Sequence, residues 1–419
     1  MTATAVAPDE PRARELHRDT LGAVFQATFF VRFAFGITLA VFATYLAGHE
    51  TGGLTGGDTA LVGLVTAMAS VGEFSTVLVS GIVADRVGRF PVLFGGMIGA
   101  AVLFALVAFT RNPLELGAIN FLFGISSGAI LAATLAVVAD RSWTDERGFE
   151  MGRFDAMNLA GWLGGYAFGI AILGTVSVTA LGYTFLLGAG ILVAGFAVAY
   201  LLVRGVPRVN PARGQSPGTI LRQAFRRSVL LVTLPWLVIY MLIGYVLVFF
   251  GSAAKSTGYP LLEIAAAIAG GGALLVLSQP QFGRLADRYG RLRLMVVGVI
   301  GFVGVMLFAS LLLAYGPLYP LLGGLAVCAL AALAYGPAAL AALADLATTL
   351  SRATTMAIYS LTISLGMILG LVGATQLQTR LGNTGLYVFF GLVALALVVL
   401  TLLRLADVPP VPAVTTPAR

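Results

Sequence analysis

Long apolar runs separated by short polar breaks set the rhythm of this chain. A helix needs about 20 apolar residues to cross a bilayer. Twelve stretches qualify: 20–47, 59–82, 90–110, 114–139, 153–176, 180–203, 229–252, 262–283, 293–315, 318–344, 353–377 and 384–405. None alternates over about 10 residues, as the strands of an outer-membrane barrel do. Their many glycines suit helices whose backbones approach closely in lipid. The pattern predicts an all-α membrane protein with twelve transmembrane helices.

The polar breaks orient it. If residues 1–19 form a cytoplasmic tail, twenty-one basic residues fall on the cytoplasmic side, and only Arg111, Lys255 and Arg380 fall outside. That asymmetry puts both termini in the cytoplasm and the chain in the cytoplasmic (inner) membrane, surrounded by membrane lipids. The first twenty residues lack a short apolar segment before a small-residue cleavage site, so they read as a tail ahead of an uncleaved first span.

Composition agrees, with 59% hydrophobic and 10% charged residues and a mean hydropathy of +0.96. The net charge of +7 is a topology signal. It does not imply nucleic acid, since no basic stretch carries interleaved aromatics on a soluble face. The single cysteine, Cys328, excludes an intrachain disulfide, and His17 and His49 fall on opposite sides of the membrane. No metal site, cofactor or phosphate-binding G-x-x-x-x-G-K-[ST] loop is expected. Any transport is therefore not driven by nucleotide hydrolysis in this chain.

One charged sentence is written twice: GIVADRVGR at Gly81–Arg89 and GRLADRYGR at Gly283–Arg291 share six of nine residues. Further on, Asp140 aligns with Asp345, Arg147 with Arg352, Met151 with Met356, Gly161 with Gly366 and Gly165 with Gly370. The chain therefore divides into a six-helix bundle at 20–203, a cytoplasmic linker at 204–228, a second six-helix bundle at 229–405 and a tail at 406–419. Parallel halves related by an axis along the membrane normal are one architecture of secondary transporters, with the site near midplane.

These residues resemble the major facilitator superfamily, over all twelve spans. Its signature after span 2, G-x-x-x-D-R-x-G-R, is matched by Gly81, Asp85, Arg86, Gly88 and Arg89, and again by Gly283, Asp287, Arg288, Gly290 and Arg291. The segment after span 4 is matched by Asp140 and Arg147–Gly148. The resemblance implies two pseudo-symmetric bundles and a cytoplasmic gate built from these charges. A carboxylate at Asp85 can meet the positive end of a helix, with arginines beside it. A plainer reading makes them topology-setting charges at a tight glycine turn. The chain departs from the family in two places. Asn120 is the nearest polar residue where span 4 often has an arginine, and Tyr166 stands where the antiporter signature has proline.

Two ionisable side chains are placed deep in spans, Arg32 and Glu73, about 18 and 12 Å from the cytoplasmic ends at 1.5 Å per residue. A bare charge there costs about 2.5–3.5 kcal/mol, so the two are expected to pair. The pair is either a static staple between spans 1 and 2 or a proton path, in which desolvation and the arginine compete for the carboxyl proton. Asp155 and Glu263 are placed at wetted span edges. Asn158, Trp162 and Tyr166 on span 5, Trp236 and Tyr240 on span 7, Gln279 on span 8 and Tyr335 before a Gly336–Pro337 break are candidates to line a cavity. Aromatics at this spacing also serve packing.

The expected function is alternating-access transport of a small amphipathic organic solute, proton-coupled and outward, by a monomer. Proton-coupled uptake of an organic anion or metabolite stays open, as does a non-transporting receptor on the same fold. No nucleophile–base pair is visible in the spans, so no enzymatic activity is expected.

Overall fold

The structure, a computed structural model, describes residues 10–48, 59–143, 145–177, 180–204, 215–256, 260–316, 319–348, 351–381 and 383–405. Fourteen helices carry these residues. The first six are α1 (Glu10–Gly48), α2 (Thr59–Val87), α3 (Arg89–Phe109), α4 (Pro113–Arg141), α5 (Arg147–Thr175) and α6 (Gly182–Val203). A short α7 (Pro217–Ala224) follows. The rest are α8 (Arg227–Ser256), α9 (Leu261–Tyr289), α10 (Arg291–Tyr315), α11 (Tyr319–Ala332), α12 (Tyr335–Leu346), α13 (Arg352–Leu381) and α14 (Asn383–Leu405). Among the described residues, ten segments are long and apolar enough to cross a membrane, with α11 and α12 counted as one.

Local chemistry sets several boundaries. Asn112 caps α4, its side chain accepting from the Leu114 amide at 2.9 Å ahead of Pro113. Gly88 (φ 122°) divides α2 from α3, and Gly290 (φ 95°) divides α9 from α10. Both angles lie where residues with a Cβ are strained. The repeated signature is thus not a loop. Asp85 and Arg86 are on the last turn of α2, and only Gly88 leaves the helix.

Span 318–344 is broken at Leu333–Ala334, just before Tyr335 rather than at Gly336–Pro337. Pro337 has no amide and crowds the carbonyl four residues earlier, at Leu333, so the turn there tightens. The Ala334 amide accordingly donates back to Ala331 O at 3.1 Å. The expected linker contains α7, capped by Ser216, with Ile220 and Ala224 buried.

Packing follows residue size. Phe33, Ala40 and their neighbours on α1 lie against Gly161, Gly165 and Gly169 of α5, where any added Cβ would strike α1. The glycines of span 5 therefore seat α1. α2 packs on α4, α3 on α4 and α6, α8 on α13, and α10 on α11, α12 and α14. α1 barely meets α2, its neighbour in sequence. Contacts between the earlier and later helices run through α5 with α9 and α12, and through α13 with α2 and α4.

Candidate functional site

At the arginine-rich helix ends, each half offers a carboxylate to a helix N-terminus of the other. Asp85 is fully buried and accepts hydrogen bonds from the Ala353 amide (3.0 Å), the Thr354 amide (2.9 Å) and Thr354 Oγ1 (2.8 Å) at the start of α13. Arg89 lies 3.3 Å from Asp85 and 2.9 Å from Asp140, whose other oxygen is 2.8 Å from Arg352. The second copy repeats the plan. Asp287 accepts from the Gly148 and Phe149 amides, both at 2.9 Å, at the start of α5. Arg291 lies 3.5 Å from Asp287 and 2.6 Å from Asp345, which Arg147 also reaches at 2.5 Å. Each latch holds two carboxylates and two guanidiniums, so its net charge is zero. Orphan amides at a helix start and a carboxylate are natural partners.

Four signature residues have other tasks. Gly81 and Gly283 are helical residues at the crossing of the halves. An added Cβ on Gly81 would lie 2.8 Å from Thr354 Cα, and one on Gly283 would lie 2.7 Å from the Gly148 carbonyl carbon. Arg86 and Arg288 point outward. Arg86 donates to Gln215 O at 2.7 Å ahead of α7, and Arg288 lines an open cleft of about 770 Å³ with Glu150, Arg153 and Arg284. Asp345 and Arg352 complete the latches. The alignment of Asp140 with Asp345 and of Arg147 with Arg352 pointed to both, but a lone charge beside a span has no signature of its own.

Within the helices, Glu73 bridges the halves. Its carboxylate accepts from Ser127 on α4 at 3.1 Å and from Ser360 on α13. The expected Arg32–Glu73 ion pair is not formed: among the described residues, no carboxylate lies within 4.0 Å of Arg32, whose guanidinium sits 5.5 Å from the Phe35 ring centre. The reason is that α1 packs on α5 and α6, while α2 packs on α4 and α13.

Asp155 is not a wetted edge residue. It is 7% exposed, because α5 begins at Arg147 and carries it two turns inward toward α12. Asn158 follows it at helical spacing on the same face of α5. From the later helices Gln279 and Trp236 approach the same point, beside Gly336. Trp236 stacks edge-on to Tyr335 (5.2 Å between ring centres) and Tyr359 (5.1 Å), and lies 5.7 Å from Tyr240. Tyr335 is fully buried and donates to Val232 O at 3.2 Å. Of the expected cavity residues, Trp236 and Gln279 thus meet Asp155 beside Gly336, Asn158 shares its helix face, and Tyr240 and Tyr335 pack on Trp236. Trp162 and Tyr166 stack on each other at 6.3 Å, further along α5. Tyr359 and Ser360 were missed, since the hydroxyls of α13 at Thr354, Thr355, Tyr359, Ser360, Thr362 and Ser364 are spread over several faces and mark no single stripe.

The fold is shared with a solved human organic anion transporter, MFSD10, at a TM-score of 0.76 and 18% identity over 92% of this chain and 99% of that one. A gallate transporter of Pseudomonas putida is 33% identical over 108 residues, 26% of this chain and 24% of that protein. The multidrug resistance protein MdtG of Escherichia fergusonii is 26% identical over 119 residues, 28% of this chain and 29% of that protein. The matches to these two thus span about a quarter of their length. The Major Facilitator Superfamily profile matches residues 24–276 and 239–419, nearly the whole chain. With the doubled latch, the crossed helix pairs and that match together, the chain belongs to the major facilitator superfamily.

Proposed function

We propose that this protein is a secondary active transporter that exports a small amphipathic organic solute by alternating access, in exchange for protons. Twelve spans would form two bundles, 20–203 and 229–405, rocking about a midplane site in the inner membrane, with both termini cytoplasmic. The latches, Gly81 to Arg89 with Asp140 and Arg352, and Gly283 to Arg291 with Asp345 and Arg147, close the cytoplasmic side. The observation that carries the reading is Glu73, an intramembrane carboxylate hydrogen-bonded to both halves at once. Protonation changes what Glu73 can accept from Ser360, so proton and conformation are linked at one atom group. Glu73→Gln keeps shape but cannot titrate. In liposomes with an imposed pH gradient it should abolish solute accumulation and keep exchange between equal pools. A folded variant that still concentrates solute overturns the coupling.

A second reading, uptake of an organic anion, draws on Arg32, which holds no carboxylate within 4.0 Å among the described residues. Organic anions are what MFSD10 is described as carrying. Arg32→Lys keeps the charge but loses the planar fork that grips a carboxylate. At least a tenfold rise in KM for anionic solutes alone, about the worth of one lost bidentate contact, would support uptake of anions. An unchanged KM would leave Arg32 as a local counter-charge.

A further inference from the structure

Gln279 is 1% exposed, yet among the described residues neither its Nε2 nor its Oε1 has a hydrogen-bond partner, and Asn158 Oδ1 is likewise buried without one. A buried amide left open loses its hydration without gaining a partner, which is unfavourable. A ligand group or an ordered water at that place would satisfy these groups. Gln279 Oε1 faces the same point as the Asp155 carboxylate. A Cβ on Gly336 would lie 2.5 Å from Asp155 Oδ2, 3.5 Å from Gln279 Oε1 and 3.6 Å from Trp236 Cη2. Because residue 336 is glycine, nothing of its own fills that point.

We infer that Asp155, Gln279, Trp236 and Gly336 form a subsite for the ammonium group of an organic amine. This rests on the transporter reading and names the head group its site would take. A carboxylate and an amide oxygen accept from N–H donors, and an indole face attracts a cation. An ammonium satisfies all three together, whereas a carboxylate solute would meet Asp155 with like charge. Gly336 carries no Cβ to press on Asp155 Oδ2, so the carboxylate keeps its place beside Gln279 Oε1. Asp155 comes from α5, the other three from α8, α9 and α12, so the bound ammonium would join the two halves.

The test is binding, separate from flux. The purified full chain is titrated calorimetrically with 3-phenylpropylammonium and with its neutral isostere 3-phenylpropanol. The wild type should bind the ammonium at least about 10-fold tighter, the scale of one desolvated charge contact. Asp155→Asn should erase that preference, and Gly336→Ala, whose methyl would lie 2.5 Å from Asp155 Oδ2 and displace the carboxylate, should erase it as well. Equal affinities in the wild type, no ammonium binding at all, or a preference surviving in folded Asp155→Asn or Gly336→Ala overturns the subsite. If the ammonium preference is absent while pH-driven flux of other solutes depends on Glu73, the subsite alone fails. If the preference holds while Glu73→Gln still concentrates solute, the coupling alone fails.

Discussion

Replacing Asp85 by asparagine tests whether the first latch is an energetic device or a by-product of topology. Its carboxylate receives two amides and a hydroxyl from α13 at 2.8–3.0 Å, with no solvent access. Asparagine keeps the shape but turns an NH2 toward one donor. A charge-assisted hydrogen bond to a backbone amide is worth about 1.5–3 kcal/mol. The charge at a partly buried helix start adds up to ~2 kcal/mol. Arg89 keeps Asp140 at 2.9 Å, so no cation is stranded. A net loss of about 3 kcal/mol follows, equivalent to about 150-fold in the ratio of latched to open molecules. Spin labels at Val87 and Tyr289, exposed at the arginine-rich ends of α2 and α9, report the separation in a Cys328→Ala background. Double electron–electron resonance should show a new, longer distance in Asp85→Asn and a larger share of it when Asp287→Asn is added. Identical distance distributions in the wild type and the folded double variant would refute the reasoning.

Two further perturbations probe packing. Gly283→Val places a side chain 2.7 Å from the Gly148 carbonyl carbon and 3.0 Å from Phe149 Cα, both backbone, so it should force the same label pair apart. Gly95→Val, which meets nothing within 4 Å, should not, and equal effects of the two would dismiss the close approach. Trp236→Ala removes a ring 7% exposed among three tyrosines and should cost about 3–5 kcal/mol, seen as a lower Tm. An unchanged Tm would mean that the tyrosines repack without it.

The latches were legible because order and repetition carried them. D-R-x-G-R twice at the ends of equivalent spans marks Asp85 and Asp287 before any coordinates. The central cluster was harder to see for two physical reasons. Hydropathy starts span 5 at residue 153, where the apolar run begins, whereas the helix starts at Arg147 because its first amides are held by Asp287. Asp155 therefore reads as an edge residue in sequence and lies inside in space. The Arg32–Glu73 pairing failed for the opposite reason, since neighbours in sequence were assumed to be neighbours in the bundle. Lipid supplies no hydrophobic drive for one helix partner over another, so small-residue faces decide, and the glycines of α5 claim α1.

The four amides that Asp85 and Asp287 accept, those of Ala353, Thr354, Gly148 and Phe149, carry a consequence for measurement. As first-turn amides they have no carbonyl within their own helix to bond. Their protection from solvent deuterium therefore depends on the opposite half staying in place. Each latch contains its own clock: the exchange rate of its amides, divided by that of an unprotected amide, gives the fraction of time that latch is open. The two rates can be read separately, so whether the latches part together or in turn becomes a matter of comparing two peptides from one undisturbed protein.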